Sequence, residues 1–543
     1  MFKSKLLWAI FLVALFLRVY KLGSWPVGFH ADEVRVGWNA YSILKTGLDD
    51  RGNALALYYN TFGDYRPTGI FYFTIPSILV FGLGEFAVRL PSAFLGAFSV
   101  FPIYFLAAEL MVGKKTSRAP LFAALFVALS PWHISVSRAT SEAVISVFLT
   151  LVALVFLIRG IRLANKKLLF CGLSFFLFSY LFYHSIRLLA PIFAFAVLYY
   201  FRSEIAKGKL KKLAAVIVLV LLCVTAVLSF NGNSRGRFEQ VSVFSDPHVA
   251  QVLSATNTAS QKTFFDYKYL VYLIELVREY SKYFTAEFYI GDTVLPVRYS
   301  SPGMGLMTYS GFALYVLGVL YLIRERRLNL ILALLILSPL PAALTSEDSP
   351  NLHRSLVMLP FIAMAAAVSF ERILNDIRFG KYILALLAIL FMLNWHYFAV
   401  SYIYRAPLEI GFRRNVSAKE LVLYLNEVRN DYEEIIITND PDDPYPWYAF
   451  YNNLDPKEFN SQAVKRGERE SWQFENLIFT QMECPSGDEF PGPFDTSSSR
   501  NILVVDGFRC SAESKLKDGM QAQIVKQIHD PDGTVAYTLW GRI

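Results

Sequence analysis

The stretch "LLWAIFLVALFLRVYKLGSWPVGFHADEVRVGWNAYSILKTG", residues 6–47, decides how the rest of the chain is read. It opens with an apolar run preceded by Lys3 and Lys5, and no small-residue cleavage site follows. The run is therefore expected to be an uncleaved first membrane helix and not a signal peptide. Its second half places two adjacent carboxylates, Asp32 and Glu33, just past that run. From there Val36, Ala40, Ile43 and Leu44 share one helical face and Gly47 is a stop signal, which predicts an amphipathic helix lying on the membrane. The acidic pair either only starts that helix or waits for a substrate at the membrane surface.

The whole sequence has the same character. Of 543 residues, 55% are hydrophobic, 16% aromatic and 18% charged, and the mean hydropathy is +0.39. Soluble domains carry about a quarter of charged residues. Apolar runs of about 20 residues span a bilayer as helices, so the class is a polytopic membrane protein. The net charge of +8 does not point to nucleic acid, because the basic residues fall in short clusters between apolar runs. Those clusters are Lys3/Lys5, Lys114/Lys115/Arg118, Arg162/Lys166/Lys167, Lys207/Lys209/Lys211/Lys212, Arg324/Arg326/Arg327 and Arg372/Arg378/Lys381. With each on the cytoplasmic side, the spans read 4–20, 87–112, 119–136, 142–161, 168–183, 187–202, 213–230, 306–324, 329–345, 354–373 and 382–403. This gives about eleven transmembrane helices with the C-terminus outside. The short run "GIFYFTIPSILVFGLG", 69–84, is interrupted by Pro76 and is read as an interfacial or re-entrant helix.

Two external loops follow from this scheme, 21–86 and 231–305, and the chain divides into residues 1–404, a membrane domain, and 405–543, a soluble extracytoplasmic domain. In the latter, "AKELVLYLNEV" has helical spacing, and "EEIIIT", "NILVVDG", "QAQIVKQI" and "TVAYTLWGRI" read as strands, so a small α/β domain is expected. Cys171 and Cys223 lie in apolar runs as core residues. Outside the cytoplasm, Cys484 and Cys510 are able to persist as a disulfide closing a loop of about 25 residues; two unpaired thiols are the alternative.

Charged side chains at membrane depth are costly and are functional candidates by default. The first loop carries His30, Asp32, Glu33, Asp64, Tyr65 and Arg66. "SPWHISVSRATSEAVISVF", 130–148, puts Arg138 and Glu142 at i and i+4, expected on one face where the fourth helix begins. "YHSIRLLAPI" supplies His184 and Arg187, and "SPNLHRSLVMLP" supplies His353 and Arg354. Arginines suit a phosphate because of their fork of donors, and a carboxylate suits a general base on an acceptor hydroxyl. Each has a plainer reading. Asp32 is then an N-cap with Glu33 meeting the helix dipole, and Arg138 and Glu142 form an ion pair. His184 is an interfacial aromatic, and Arg89, Arg187 and Arg354 are snorkelling anchors. "NDPDDP" reads as a turn and not as a metal-binding D-x-D. No P-loop, GxGxxG, HExxH or Cys/His metal spacing occurs, which leaves ATP-driven and zinc-hydrolase readings without support.

Taken in order, the external "ADE", "FGDYRPTGIFYF", "FAVRLPSAFLGA", "SPWHISVSRATSEA", "YHSIRLLAPI" and the late "HRSLVMLP" resemble the GT-C membrane glycosyltransferases. The resemblance is to the protein O-mannosyltransferase and aminoarabinose-transferase-like group and covers roughly residues 5–400. It implies a mainly α, polytopic helix bundle with juxtamembrane helices in the first external loop. It also implies a polyprenyl-phosphate sugar donor and inverting transfer on the external face to a protein, glycan or lipid acceptor. The family's first-loop "DE" corresponds to Asp32 and Glu33, and its second-loop acid to Glu142. The basic residue of its K-P-P element corresponds to Arg66 in "YRPT", where Thr68 stands in place of the second proline. The late arginine corresponds to Arg354, as a phosphate ligand. His30, Asp64, Tyr65, Arg138, His184, Arg187 and His353 complete the candidate substrate-binding set. The cofactor stays open, with a divalent cation as the candidate; membrane lipid is an expected partner and nucleic acid is not. A transporter or flippase of lipid-linked sugars is the main rival, and it predicts internal repeats and broken midplane helices. A non-catalytic scaffold for the C-terminal domain is the second rival.

Overall fold

A computed structural model describes residues 4–61, 64–111, 117–229, 242–258, 267–292, 295–325, 328–440, 442, 444–462, 464–466, 471–480, 482, 484–486, 501–511 and 522–542. The chain is mostly helical, with a C-terminal sheet, and each predicted apolar run holds a helix. Among the described residues, five helices are long and apolar enough to cross a membrane, Glu85–Leu110, Glu142–Arg162, Lys211–Ser229, Leu356–Asp376 and Gly380–Arg414. Ala119–Ala128 and Pro131–Arg138 add a sixth if the pair, bent by 49°, counts as one span. The expected count of about eleven also takes in shorter helices such as His184–Tyr200, Tyr309–Arg324 and Asn329–Ala343. These apolar helices describe a multi-pass membrane protein.

Contacts divide the chain into two units. The first comprises Met1–Tyr20, Leu57–Ile70 and Ser92–Ser401; the second comprises Lys21–Ala56, Phe71–Pro91 and Tyr402–Ile543. Two N-terminal pieces thus group with the C-terminal residues.

Within the first unit, burial sorts the helices. Most of the apolar stretch of Glu142–Arg162 and of Leu356–Asp376 is buried, 78% and 83%, whereas only 11% of that of Lys211–Ser229 is. The outward face of the latter is apolar, as lipid contact requires, and Cys223 lies exposed on it and not in the core. Two buried arginines close helix ends reciprocally. Arg18 of Lys5–Val19 donates to the carbonyls of Val127 and Ala128 at 3.1 and 3.0 Å, at the end of Ala119–Ala128. Its Nη2 also lies 3.0 Å from His133 Nδ1. Arg138 in turn donates to the carbonyls of Leu17 and Tyr20 at 2.7 and 2.8 Å, at the end of Lys5–Val19. The last carbonyls of a helix lack internal partners, and cations there also meet the dipole. A two-stranded hairpin, β1 (Tyr58–Thr61) and β2 (Asp64–Pro67), pairs Tyr59 with Arg66.

In the second unit, seven strands form one sheet: β3 (Glu434–Ile437), β4 (Val464–Arg466), β5 (Ser471–Phe474), β6 (Leu477–Phe479), β7 (Ile502–Asp506), β8 (Ala522–His529) and β9 (Val535–Arg542). The order is β4-β5-β6-β3-β7-β9-β8, with β3 parallel to β6 and β7 and the outer pairs antiparallel. Cys484 and Cys510 are bonded, with Cα atoms 5.5 Å apart. Beside them Asp506 accepts from Ser486 N and Trp540 Nε1, both at 3.0 Å, and from the Ser486 hydroxyl. Burial pushes its carboxyl up in pKa, and those donors oppose the shift.

The helix Ala31–Thr46 belongs to this unit and is buried on more than one side. Ala40 packs with Ile78 and Ala87, while Trp38 stacks edge-on to Phe459 at 5.7 Å. A Cβ on Gly37 would meet Phe450 and Val88 at 2.7 Å, so only glycine admits this approach. Phe29 packs on Phe450 at 5.0 Å and its carbonyl accepts from Trp447 Nε1 at 2.8 Å. Of the stripe read as a membrane-lying face, Val36 and Ala40 are buried by protein, while Ile43 and Leu44 are half-buried. Burying each of these aromatics contributes about 1.5–3 kcal/mol.

The reciprocal caps make a first prediction. Arg18→Met strands two carbonyls and His133, and hydrogen bonds to a charged group contribute about 1.5–3 kcal/mol each. Thermal unfolding in detergent is expected to show a lowered Tm; a wild-type Tm would contradict the capping role.

Candidate active site

The acidic pair sits at the start of Ala31–Thr46, and the two carboxylates have different fates. His30 is the N-cap, its Nδ1 accepting from Asp32 N at 3.1 Å. Glu33, at the third helical position, closes a capping box by accepting from His30 N at 3.3 Å. Glu33 is buried, and both its oxygens face Arg89, with Nε to Oε1 at 2.9 Å and Nη2 to Oε2 at 3.0 Å. Arg89 is fully buried and also donates to the carbonyls of Leu22 (3.2 Å), Pro26 (3.0 Å) and Gly28 (2.5 Å). Gly28 has φ +86° and a Cβ there would lie 2.5 Å from the Arg414 carbonyl, so the turn requires glycine. Asp32 keeps a side chain 22% exposed, with Oδ2 3.7 Å from His30 Nδ1. Of the pair, Glu33 is committed to the frame and Asp32 reaches the surface.

This bears on a divalent cation. Asp32 and His30 offer two donors, and the Glu33 oxygens are turned to a guanidinium. Among the described residues no group of three or more His, Cys, Asp or Glu is placed to hold a metal ion. No step below runs through a cation.

In the helix unit, His353 joins three other segments. Its Nε2 lies 2.9 Å from Ser141 Oγ, its Nδ1 lies 3.3 Å from Tyr183 Oη, and its ring stacks on Tyr299 at 5.2 Å. Ser141 caps the helix Glu142–Arg162, so Glu142, partly exposed, sits at its positive end. Tyr183 precedes the helix His184–Tyr200. From that helix Arg187 donates to Tyr58 Oη at 2.8 Å, to the Tyr180 carbonyl at 2.9 Å and to His184 Nδ1 at 3.1 Å. The Tyr58 and His184 rings stack at 6.1 Å. Arg354 donates through Nη1 to Thr345 Oγ1 and the Glu347 carbonyl, both at 2.8 Å, and pairs through Nη2 with Glu347 Oε2 at 2.5 Å.

Several expectations change. Arg138 and Glu142 do not share a helical face. Pro131–Arg138 ends at an extended Ala139, and Ser141 starts a new helix, so the i,i+4 spacing crosses a break. Arg89 is no snorkelling anchor, being buried against Glu33. Arg66 is partly buried on β2. Asp64 and Tyr65 lie on the same strand, with side chains outside the described residues. Sequence reasoning did not single out Arg18, Tyr58, Tyr183, Tyr299 or Glu347. A charge inside an apolar run was the available signal for Arg18.

Comparison with known proteins agrees with this architecture. The sequence profile described as Dolichyl-phosphate-mannose-protein mannosyltransferase matches residues 65–230. Among curated proteins no sequence match is found. The structure of ArnT from Cupriavidus metallidurans bound to undecaprenyl phosphate aligns at TM-score 0.53 and 13% identity, covering 98% of this chain and 97% of that one. Its apo state aligns at TM-score 0.52, with the same identity and coverage. The oligosaccharyltransferase AglB from Archaeoglobus fulgidus aligns at TM-score 0.47 and 13% identity over 82% of this chain; the chain spans 63% of that protein. The chain thus shares its fold with ArnT along nearly its whole length, and its residues 65–230 match the mannosyltransferase profile.

The divided roles of the acidic pair are separable by stability. Glu33→Ala leaves Arg89 buried without its counter-ion, a loss of about 3–5 kcal/mol. Asp32→Asn, which removes no buried counter-ion, is expected to cost clearly less than Glu33→Ala. Chemical or thermal unfolding of both variants in detergent checks this; equal losses would erase the distinction.

Proposed function

We propose that the protein is an inverting glycosyltransferase that moves a sugar from a polyprenyl-phosphate donor to an acceptor hydroxyl on the external face of the membrane. The observation that carries the reading is the fold, shared along nearly the whole chain with an ArnT structure that binds undecaprenyl phosphate. Asp32, half-buried with 22% of its side chain exposed while Glu33 is held by Arg89, is the carboxylate of the pair better placed to reach an acceptor. In this scheme Asp32 takes the proton of the acceptor hydroxyl as its oxygen attacks the anomeric carbon. The bond from that carbon to the phosphate oxygen breaks, and polyprenyl phosphate leaves from the opposite face with inversion. Arg354, with Arg66 and Arg187, takes the charge that develops on the phosphate. His353 and His184, fixed by tyrosines, orient the segments that carry these arginines.

Two measurements test the proposal. Asp32→Asn is expected to bind donor as wild type does but to turn over about 100-fold or more slowly, the ordinary loss of a general base. Near-normal turnover would remove Asp32 from the mechanism. The external location of the C-terminal domain is tested in a Cys171→Ala/Cys223→Ala background. A membrane-impermeant maleimide added to intact cells is expected to label Cys484 and Cys510 only after reduction. Labelling that appears only once the membrane is breached would put the domain inside.

A further inference from the structure

The loop that precedes Leu359–Asp376 holds Arg354 in a particular way. Asn351 Oδ1 accepts from the backbone N–H groups of His353 and Arg354 at 3.0 and 2.8 Å, and Asn351 N donates to Tyr283 Oη at 3.0 Å. The Ser349 hydroxyl donates to Glu279 of the helix Tyr267–Lys282. The backbone around the arginine is therefore tied down. Its guanidinium has two kinds of partner. Nη1 faces neutral oxygens, Thr345 Oγ1 and the Glu347 carbonyl, and Nη2 faces the Glu347 carboxylate. The Arg354 side chain is 11% exposed, whereas that of Glu347 is 50% exposed. The anion on this fork is thus a carboxylate half in solvent, on a side chain with three rotatable bonds.

We propose that Glu347 is a built-in competitor for the donor phosphate at Arg354, its carboxylate standing where phosphate oxygens bind. The inference rests on Arg354 being a phosphate ligand. Carboxylate and phosphate both suit the same arginine fork. As donor enters, the carboxylate swings into solvent while Thr345 Oγ1 and the Glu347 carbonyl keep the guanidinium aimed. As polyprenyl phosphate leaves, the carboxylate returns, so the largely buried cation is not left without an anion. The exchange weakens donor and product alike and favours product release.

The test is equilibrium binding of radiolabelled undecaprenyl phosphate to the purified full chain in detergent. Glu347→Gln keeps a neutral acceptor for Nη2 and removes the charge. It is expected to tighten binding about twofold to fivefold, the span of a partly exposed ion pair. Glu347→Asp, which retains the carboxylate, is expected to lie closer to wild type than Glu347→Gln. In an Arg354→Ala background, Glu347→Gln is expected to change nothing further. Unchanged or weaker binding by Glu347→Gln, with Arg354→Ala still weakening it, would overturn the competition and leave Arg354 as a phosphate ligand. Unchanged binding in Arg354→Ala would overturn the phosphate reading itself.

Discussion

The buried pair of Arg89 and Glu33 is the constraint on which the presentation of Asp32 depends. Taking both charges out of water is expensive, and their attraction repays the cost only when the remaining donors are satisfied. Here they are: the guanidinium reaches both Glu33 oxygens and the carbonyls of Leu22, Pro26 and Gly28. Those carbonyls belong to an irregular turn whose backbone groups need partners. One side chain therefore shapes the turn, and the capping box through Glu33 shapes the helix start. Asp32 follows as the next carboxylate, half-buried and one residue from a fixed point. The same turn is pressed by Phe29 against Phe450 and anchored to Trp447, which gives the C-terminal domain a part in holding the acidic loop.

Much of this architecture was legible in the sequence, because membrane helices announce themselves by composition. The four C-terminal strands read from the pattern are present, as are the helix Ala418–Val428 and the stop at Gly47. Periodicity marks an apolar face and does not say what covers it, so the helix Ala31–Thr46 was expected on lipid and packs on protein. Spacing misled at Arg138 and Glu142 because Ala139 and Ser141 are extended, a break that no strong punctuation residue advertises. Arg89 was hidden by its neighbours: an arginine in an apolar run fits both a snorkelling anchor and a buried partner, and only the position of Glu33 decides. The short strands β4, β5 and β6 carry too few residues for an alternating pattern to stand out.

The geometry also weighs on the rival functions. A flippase for lipid-linked sugars needs cations for the phosphate and no base. A scaffold that only displays the C-terminal sheet has no use for the tyrosine-braced Arg187 or for an arginine fork with a half-exposed carboxylate on it. The arginines Arg18 and Arg138 give the opposite lesson. Both donate to main-chain carbonyls at helix ends, so a charge beside an apolar run is not always a ligand for substrate.

The central claim is that a bond is broken. The direct measurement follows a doubly labelled polyprenyl-phosphate sugar with the purified protein in proteoliposomes, scanning sugars and acceptors. The account predicts acceptor-dependent release of free polyprenyl phosphate, with the sugar label appearing on the acceptor in inverted configuration. Movement of the intact lipid-linked sugar across the bilayer, with no polyprenyl phosphate released from any donor, would contradict it.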